Sequence, residues 1–282
     1  MLKIVECPRD AMQGIKSFID TDAKVAYINQ LLNVGFDTLD AGSFVSPKAI
    51  PQMQDSEEVF ERIAWQQSST KLLAIVANTK GAETAMKYRQ IRYVGYPFSI
   101  SETFQLRNTN ATIEESLERT KQIVALCAEH GKEPVIYISM GFGNPYGDEW
   151  NAGIVMKWAA QLIDLGVKII SLSDTIGVSN PDSINYLFSY LIPTFPGIEF
   201  GAHLHTQPHN WREKVEAAYQ SGCRRFDGAL KGYGGCPMAK DDLTGNMPTE
   251  HMITYFNAHK IETGINQEEL SKSLLHSELI FH

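Results

Sequence analysis

Apolar residues along this chain fall into two alternating rhythms. Short β-rich runs recur at 3–7 (KIVEC), 36–41 (FDTLDA), 72–77 (LLAIVA) and 91–96 (IRYVGY). They continue at 134–140 (PVIYISM), 168–173 (KIISLS), 198–205 (IEFGAHLH) and 224–229 (RRFDGA). Each has the length of an ordinary strand, about 5 to 8 residues. Between them lie longer stretches with helical spacing. Residues 21–35 place Val25, Ile28, Leu31 and Leu32 on one face and close at Gly35, a C-cap signal. Thr112 followed by Glu115 opens another helix as a capping box, and Gly131 ends it. Residues 152–166 and 211–222 close at Gly166 and Gly222, and 181–195 is bracketed by Pro181 and Pro193.

Strand–helix alternation repeated eight times over about 250 residues predicts an α/β fold, a (β/α)8 TIM barrel. The competing arrangement is an open doubly wound sheet, which normally carries a glycine-rich phosphate turn after its first strand. Here that strand runs into ECPRDAMQG, with no such turn. One barrel domain over residues 1–282 is expected, with 261–282 as a C-terminal helical extension packing on the barrel or on a second subunit.

Composition narrows the partners. A hydrophobic content of 43% is enough for a full globular core, and a net charge of −8 argues against a nucleic-acid surface. No apolar run approaches the roughly 18 to 20 residues of a membrane span, and MLKIVECPRD shows no signal or transit pattern. A soluble, cytoplasmic protein without nucleic-acid or membrane partners is expected. Four widely spaced cysteines, Cys7, Cys127, Cys223 and Cys236, read as reduced thiols. The first three sit in apolar runs, where a free Cys is a small core residue. Cys236 instead stands in the glycine-dense stretch GYGGCPMAKDDLTGN, 232–246.

Barrel chemistry gathers at the C-terminal ends of the strands. Strand 1 delivers Arg9 and Asp10, strand 2 Asp40 and Ser43, and strand 6 Asp174 and Thr175. Strand 7 ends in His203 and His205, and strand 8 feeds the loop with Cys236 and Asn246. Residues two apart on a strand share a face, so both imidazoles can approach one point. Two imidazoles and a carboxylate make a divalent-metal site. Closure makes strands 7, 8 and 1 neighbours, so Asp10 can complete the set and Asn246 can add a carbonyl oxygen. Arg9 fits either a surface ion pair of small worth or a holder of an oxyanion or enolate. Asp174, ahead of a Thr-Ile-Gly turn, fits a cap as well as a site residue.

The stretches KIVECPRDAMQG (3–14), SFVSPKAIPQMQD (43–55), SLSDTIGV (171–178), AHLH (202–205), GYGGCPMA (232–239) and TGNMPTE (244–250) point to one family. Together the sequence resembles the 3-hydroxy-3-methylglutaryl-CoA lyases, a branch of the metal-dependent lyases and aldolases built on the TIM barrel. RDxxQ marks the superfamily, whereas SFVSPK and GGCP mark the lyase branch. The resemblance implies cleavage of an acyl-CoA thioester, 3-hydroxy-3-methylglutaryl-CoA, to acetyl-CoA and acetoacetate, in a homodimer. It implies Mg2+ or Mn2+ held by Asp10, His203, His205 and Asn246, with His203 also among the catalytic groups. Arg9 would stabilise the enolate and Cys236 take part in its protonation. Asp174, Asp40 and Glu250 match acidic positions used in proton transfer or in organising the site. Gln13, Ser43, Lys48, Thr175 and Asn108, the last in the strand 4 loop, match positions that hold substrate or CoA.

The sequence also departs from the family's pattern. Thr206 follows the HxH where an Asp is usual, and His209 replaces a glycine. Ser173 replaces the glycine of Gly-Asp-Thr, and Met140 stands where Cys or a small residue is common. These positions are expected to ring the acyl pocket, so the chemistry is kept while the acyl group changes. The superfamily also holds condensing synthases and pyruvate-forming aldolases, which share RDxxQ and HxH but lack GGCP. Thr206 motivates a further reading, a catalytically weak binding relative.

Overall fold

A computed structural model describes residues 1–235 and 244–281 of the chain. Its strands are β1 (Lys3–Glu6), β2 (Thr38–Phe44), β3 (Lys71–Val76), β4 (Ile91–Ser99), β5 (Glu133–Ser139), β6 (Ile169–Asp174), β7 (Glu199–Leu204) and β8 (Arg225–Gly228). They pair in sequence order, and β1 pairs in parallel with β8 to close the barrel, as the alternation predicts. Helices α1 (Pro8–Gln13) and α2 (Thr21–Leu31) follow β1, α3 (Ser56–Arg62) follows β2, and α4 (Thr79–Met86) follows β3. After β4 come α5 (Glu102–Thr109) and α6 (Ile113–Glu129). Then α7 (Ala152–Asp164), α8 (Pro181–Thr194) and α9 (Trp211–Gln220) follow β5, β6 and β7 in turn. Finally α10 (Thr249–Ala258) and α11 (Gln267–Ile280) follow β8.

Two strands run further than the hydrophobic pattern suggests. In β2 the register shifts between Asp40 and Gly42, so pairing survives where alternation breaks. β4 continues through Pro97 to Ser99, paired with β5 throughout. The helix signals hold at their ends. Thr112 and Glu115 form the reciprocal capping box, at 3.1 and 2.8 Å, and Gly166 takes the positive φ of 97° that ends α7.

Inside the barrel, Leu73, Tyr93, Val135, Tyr137 and Ile169 form an apolar plug. Below it Arg225 is wholly buried, 3.2 Å from Glu199 and over the ring of Tyr93. Among the described residues the N-terminal end of the barrel is thereby filled, and the cavity lies at the C-terminal end. α11 packs on the outer ring, where Tyr27 of α2 meets the rings of His276 and Phe281 edge-on at 5.4 and 5.8 Å. Among the described residues, no helix is long and apolar enough to cross a membrane.

Candidate active site

Alternation along β7 sends Ala202 and Leu204 into the outer core and leaves His203 and His205 on the barrel's inner face, ring centroids 5.4 Å apart. Arg9 and Asp10 belong to α1 and not to the strand: Pro8 starts a helix directly after β1. Asp10, His203 and His205 each offer a ligand atom within 4.8 Å of the other two. Asp10 Oδ2 and His205 Nδ1 are buried without a hydrogen-bond partner among the described residues. Such orphaned atoms are costly unless something satisfies them. One carboxylate and two imidazoles suit a divalent ion, so these residues fit the cation that the sequence implies.

The charges agree with that fit. Burial pushes the Asp10 carboxyl up, but Arg9, His203, His205 and Asn246 outweigh it and hold it below the usual range. Burial and the neighbouring His203 push His205 down to about 4, which keeps it a neutral imidazole at neutral pH. Burial also lowers His203, but Asp227, by hydrogen bond and charge, raises it above the usual value. His203 Nδ1 donates to Asp227 Oδ2 at 3.2 Å, leaving Nε2 for the cavity. Sequence reasoning passed over Asp227. The signal was there, since alternation in RRFDGA puts its carboxylate on the inner face of β8, next to β7.

Arg9 is held on both sides. Its Nε and Nη2 donate to Asp40 Oδ2 at 3.0 and 2.5 Å, and Nη1 donates to Asp10 Oδ1 at 3.0 Å and Gln13 Oε1 at 2.9 Å. These bonds use four of the five guanidinium N–H groups. Asp40 is pushed up to about 6 by burial, against the pull of Arg9, and its Oδ1 has no partner among the described residues. Asp40 and Ser43 are three apart, so strict alternation would put them on opposite faces. The shift in β2 lets both line the cavity.

That cavity, about 480 Å³, opens at the C-terminal end; Gln13, Ser173 and Thr175 share its polar lining. Asn108 lines it too, but from α5, because β4 outruns its predicted end and Ser101 caps a helix there. Other expected positions do not come to the cavity. Asp174 lies on the opposite face of β6 from Ser173 and Thr175. Its carboxylate accepts from Val178 N at 2.8 Å, Ser179 N at 3.0 Å, Ser179 Oγ at 2.5 Å and Lys214 Nζ at 2.8 Å. It caps a turn and is paired with Lys214, the capping arrangement that its place ahead of the Thr-Ile-Gly turn also allows. Glu250 is in the first turn of α10, where it accepts Lys231 N–H at 2.9 Å and steadies the chain leaving β8. Lys48 is exposed and outside the lining.

The departures sort in the same way. Ser173 faces the cavity. Met140 is fully buried at a left-handed φ of 58°, its N–H donating to Thr175 Oγ1 at 2.9 Å, and is not in the lining. His209 is exposed in the turn after β7. Thr206 bridges to Gly245, its N–H donating to Gly245 O at 2.8 Å and its Oγ1 to Asn246 O at 3.2 Å. It thus holds the backbone that carries Asn246, whose Nδ2 donates to Tyr233 O at 2.8 Å. Cys236 lies outside the described residues.

Comparison with known proteins agrees with this arrangement. The 3-hydroxy-3-isohexenylglutaryl-CoA/hydroxymethylglutaryl-CoA lyase of Pseudomonas aeruginosa is 33% identical over 95% of this chain and 89% of its own length. The hydroxymethylglutaryl-CoA lyase of Bacillus subtilis is 32% identical over 93% of this chain and 87% of its own. An HMG-CoA lyase structure from Acinetobacter baumannii, in complex with coenzyme A and 3-methylmalate, superposes with a TM-score of 0.93. It is 31% identical, with 100% of this chain and 91% of that chain covered. The family model described as HMGL-like matches residues 2–274, and with the barrel and its Asp10–His203–His205 cluster in place, the chain belongs to the HMGL-like family.

Proposed function

We propose that this protein is a divalent-metal-dependent carbon–carbon lyase acting on 3-hydroxy-3-methylglutaryl-CoA or a related branched 3-hydroxyacyl-CoA. The products are acetyl-CoA and a 3-oxo acid, acetoacetate for the methyl compound. The observation that carries this reading is the Asp10–His203–His205 cluster, with two orphaned ligand atoms, beside Arg9 and Asp40 in one cavity. Family membership supports it. Asp10, His203, His205 and Asn246 would hold Mg2+ or Mn2+. When bound, such an ion polarises the substrate's tertiary hydroxyl and carboxylate as a Lewis acid and template.

The chain's own groups do the rest. Asp40, with Oδ1 unpaired among the described residues and its carboxyl lifted by burial to about 6, accepts the hydroxyl proton. The carbon–carbon electrons then pass to the thioester as an enolate, and the remaining Nη2–H of Arg9 stabilises its oxygen. Cys236 is assigned the protonation of the enolate carbon. Gln13, Ser43, Thr175 and Asn108 orient the acyl chain. We read the enzyme as a cytoplasmic homodimer using a free acyl-CoA; similarly named relatives include cytoplasmic and mitochondrial forms.

The test is release of acetyl-CoA from 3-hydroxy-3-methylglutaryl-CoA and branched analogues, with Mn2+ or Mg2+ and with chelator. Release that chelation abolishes and metal restores is expected. Consumption of acetyl-CoA with a 2-oxo acid would instead identify a condensing synthase. Metal retention without turnover of any analogue would identify a binding relative.

A further inference from the structure

A second group of ligand atoms lies on the inner side of His203. Cys7, His203 and Asp227 each offer one within 4.8 Å of the other two. They come from the residue after β1 and from β7 and β8, which closure of the barrel makes neighbours. Cys127 and Cys223 pack in the apolar core, as expected of buried thiols, but Cys7 does not. Among the described residues its thiol reaches only Val5 O, at 4.0 Å. Asp227 is 2% exposed, and its Oδ1 is buried with no hydrogen-bond partner among the described residues. Such an oxygen is costly until something satisfies it.

Spacing and charge both suit a cation. His203 Nδ1 and Asp227 Oδ2 stand 3.2 Å apart. Two nitrogen or oxygen ligands on one tetrahedral zinc, with bonds of about 2.0 Å, stand about 3.3 Å apart. Burial pushes the Cys7 thiol up, and the charges of Asp227, Asp40 and Asp10 add to it. Arg9 and Arg225 offset two of these three charges. The field that opposes a bare thiolate favours a positive ion in place of the thiol proton. Thiolate with imidazole and a carboxylate is a zinc donor set, whereas magnesium and manganese prefer oxygen. His203 lines the cavity, so an ion reaches the group past its ring.

We propose that Cys7, His203 and Asp227 form a second cation site, beneath the Asp10–His203–His205 cluster, that takes zinc in preference to magnesium or manganese. The two sites share one ring. A neutral imidazole has a single free lone pair, and the tautomer that donates to Asp227 carries it on Nε2, toward the cavity. An ion on Nδ1 requires the other tautomer, with the proton on Nε2, so His203 no longer serves the outer cluster. The thiol proton leaves to solvent. Zinc inside therefore weakens the hold on an ion outside, and the reverse follows by linkage. No substrate enters this inference, so it stands or falls apart from the lyase reading.

The test is titration of the full-length protein with Co2+ as the spectroscopic stand-in for zinc. A thiolate ligand gives Co2+ an intense charge-transfer band in the near ultraviolet, which nitrogen and oxygen ligands do not. The band is expected in the wild type and in Cys236→Ser, and lost in Cys7→Ser. With Mn2+ bound, zinc should release it at a lower concentration from the wild type than from Cys7→Ser, read by the paramagnetic resonance of free Mn2+. No band in the wild type overturns the inference, as does a band that survives Cys7→Ser. Equal zinc requirements for Mn2+ release overturn it as well. Should Cys7→Ser fail to fold, Cys7→Ala replaces it, and loss of the band in Cys236→Ser is by itself decisive against the inner site.

Discussion

Asp40 has one oxygen committed and one free. Oδ2 takes both donors from Arg9, and Oδ1 has no partner among the described residues, while burial lifts the group to about 6. Below that pH it is protonated and cannot serve as the proposed base for the substrate's hydroxyl proton, so activity should fall as pH drops. A bound cation nearby draws the value lower. The pH profile of kcat/KM is therefore expected to show an acid limb at or below pH 6, absent in Asp40→Asn. That variant should also be about 10²- to 10⁴-fold slower, the usual worth of a general base. A limb that survives in Asp40→Asn assigns the base elsewhere. Residue identity was legible here, because an acid at the end of a strand is conspicuous. The face it uses was not, because it depends on a shift in β2 that the letters DAGS do not announce.

At the scale of elements, Lys214 of α9 joins three pieces of the active-site rim. Its wholly buried Nζ donates to Asp174 Oδ2 at 2.8 Å, to His205 O at 2.9 Å and to Gly177 O at 3.1 Å. One helix thus fixes the end of β6, the turn after it and the backbone of His205. Lys214→Met leaves the buried Asp174 uncompensated, so a loss of about 3–5 kcal/mol is expected in chemical denaturation. Mn2+ affinity, by calorimetric titration of the folded variant, should weaken by about 10- to 100-fold as His205 loses its tether. Unchanged affinity would restrict Lys214 to stability. The sequence showed Asp174 but not its partner, which lies forty positions away on another element. The same limit applied to helices. α2, α6 and α8 are long enough for an apolar stripe, whereas α1, α3 and α5, of 6, 7 and 8 residues, are not. Asn108 was therefore expected in a loop.

Across the whole molecule, the buried ionisable groups make stability depend on pH in a way that Glu6 dominates near neutrality. Its carboxylate accepts Leu230 N–H at 2.9 Å and Thr249 Oγ1–H at 2.6 Å, tying β1 to the chain leaving β8 and to the start of α10. Burial pushes it from 4.5 to about 8 in spite of these bonds. The folded protein then keeps a proton that the unfolded chain has lost, so this stabilisation is full below pH 4.5 and fades as pH rises through 8. Asp40 has the same sign at lower pH, up to about 6. His205 has the opposite sign, since its depressed value makes its contribution disappear as pH falls from 6.5 to 4. These effects oppose one another below pH 6.5. Above it, Glu6 and the raised His203 both favour the more acidic condition. Metal-free protein should therefore lose stability between pH 6.5 and 8, with about 2 kcal/mol from Glu6 at roughly 1.36 kcal/mol per pH unit. Glu6→Gln keeps an acceptor for Leu230 and cannot ionise, so most of that slope should vanish. Urea denaturation of both proteins in chelator at the two pH values measures it, and an equally steep loss in Glu6→Gln would assign the slope to His203.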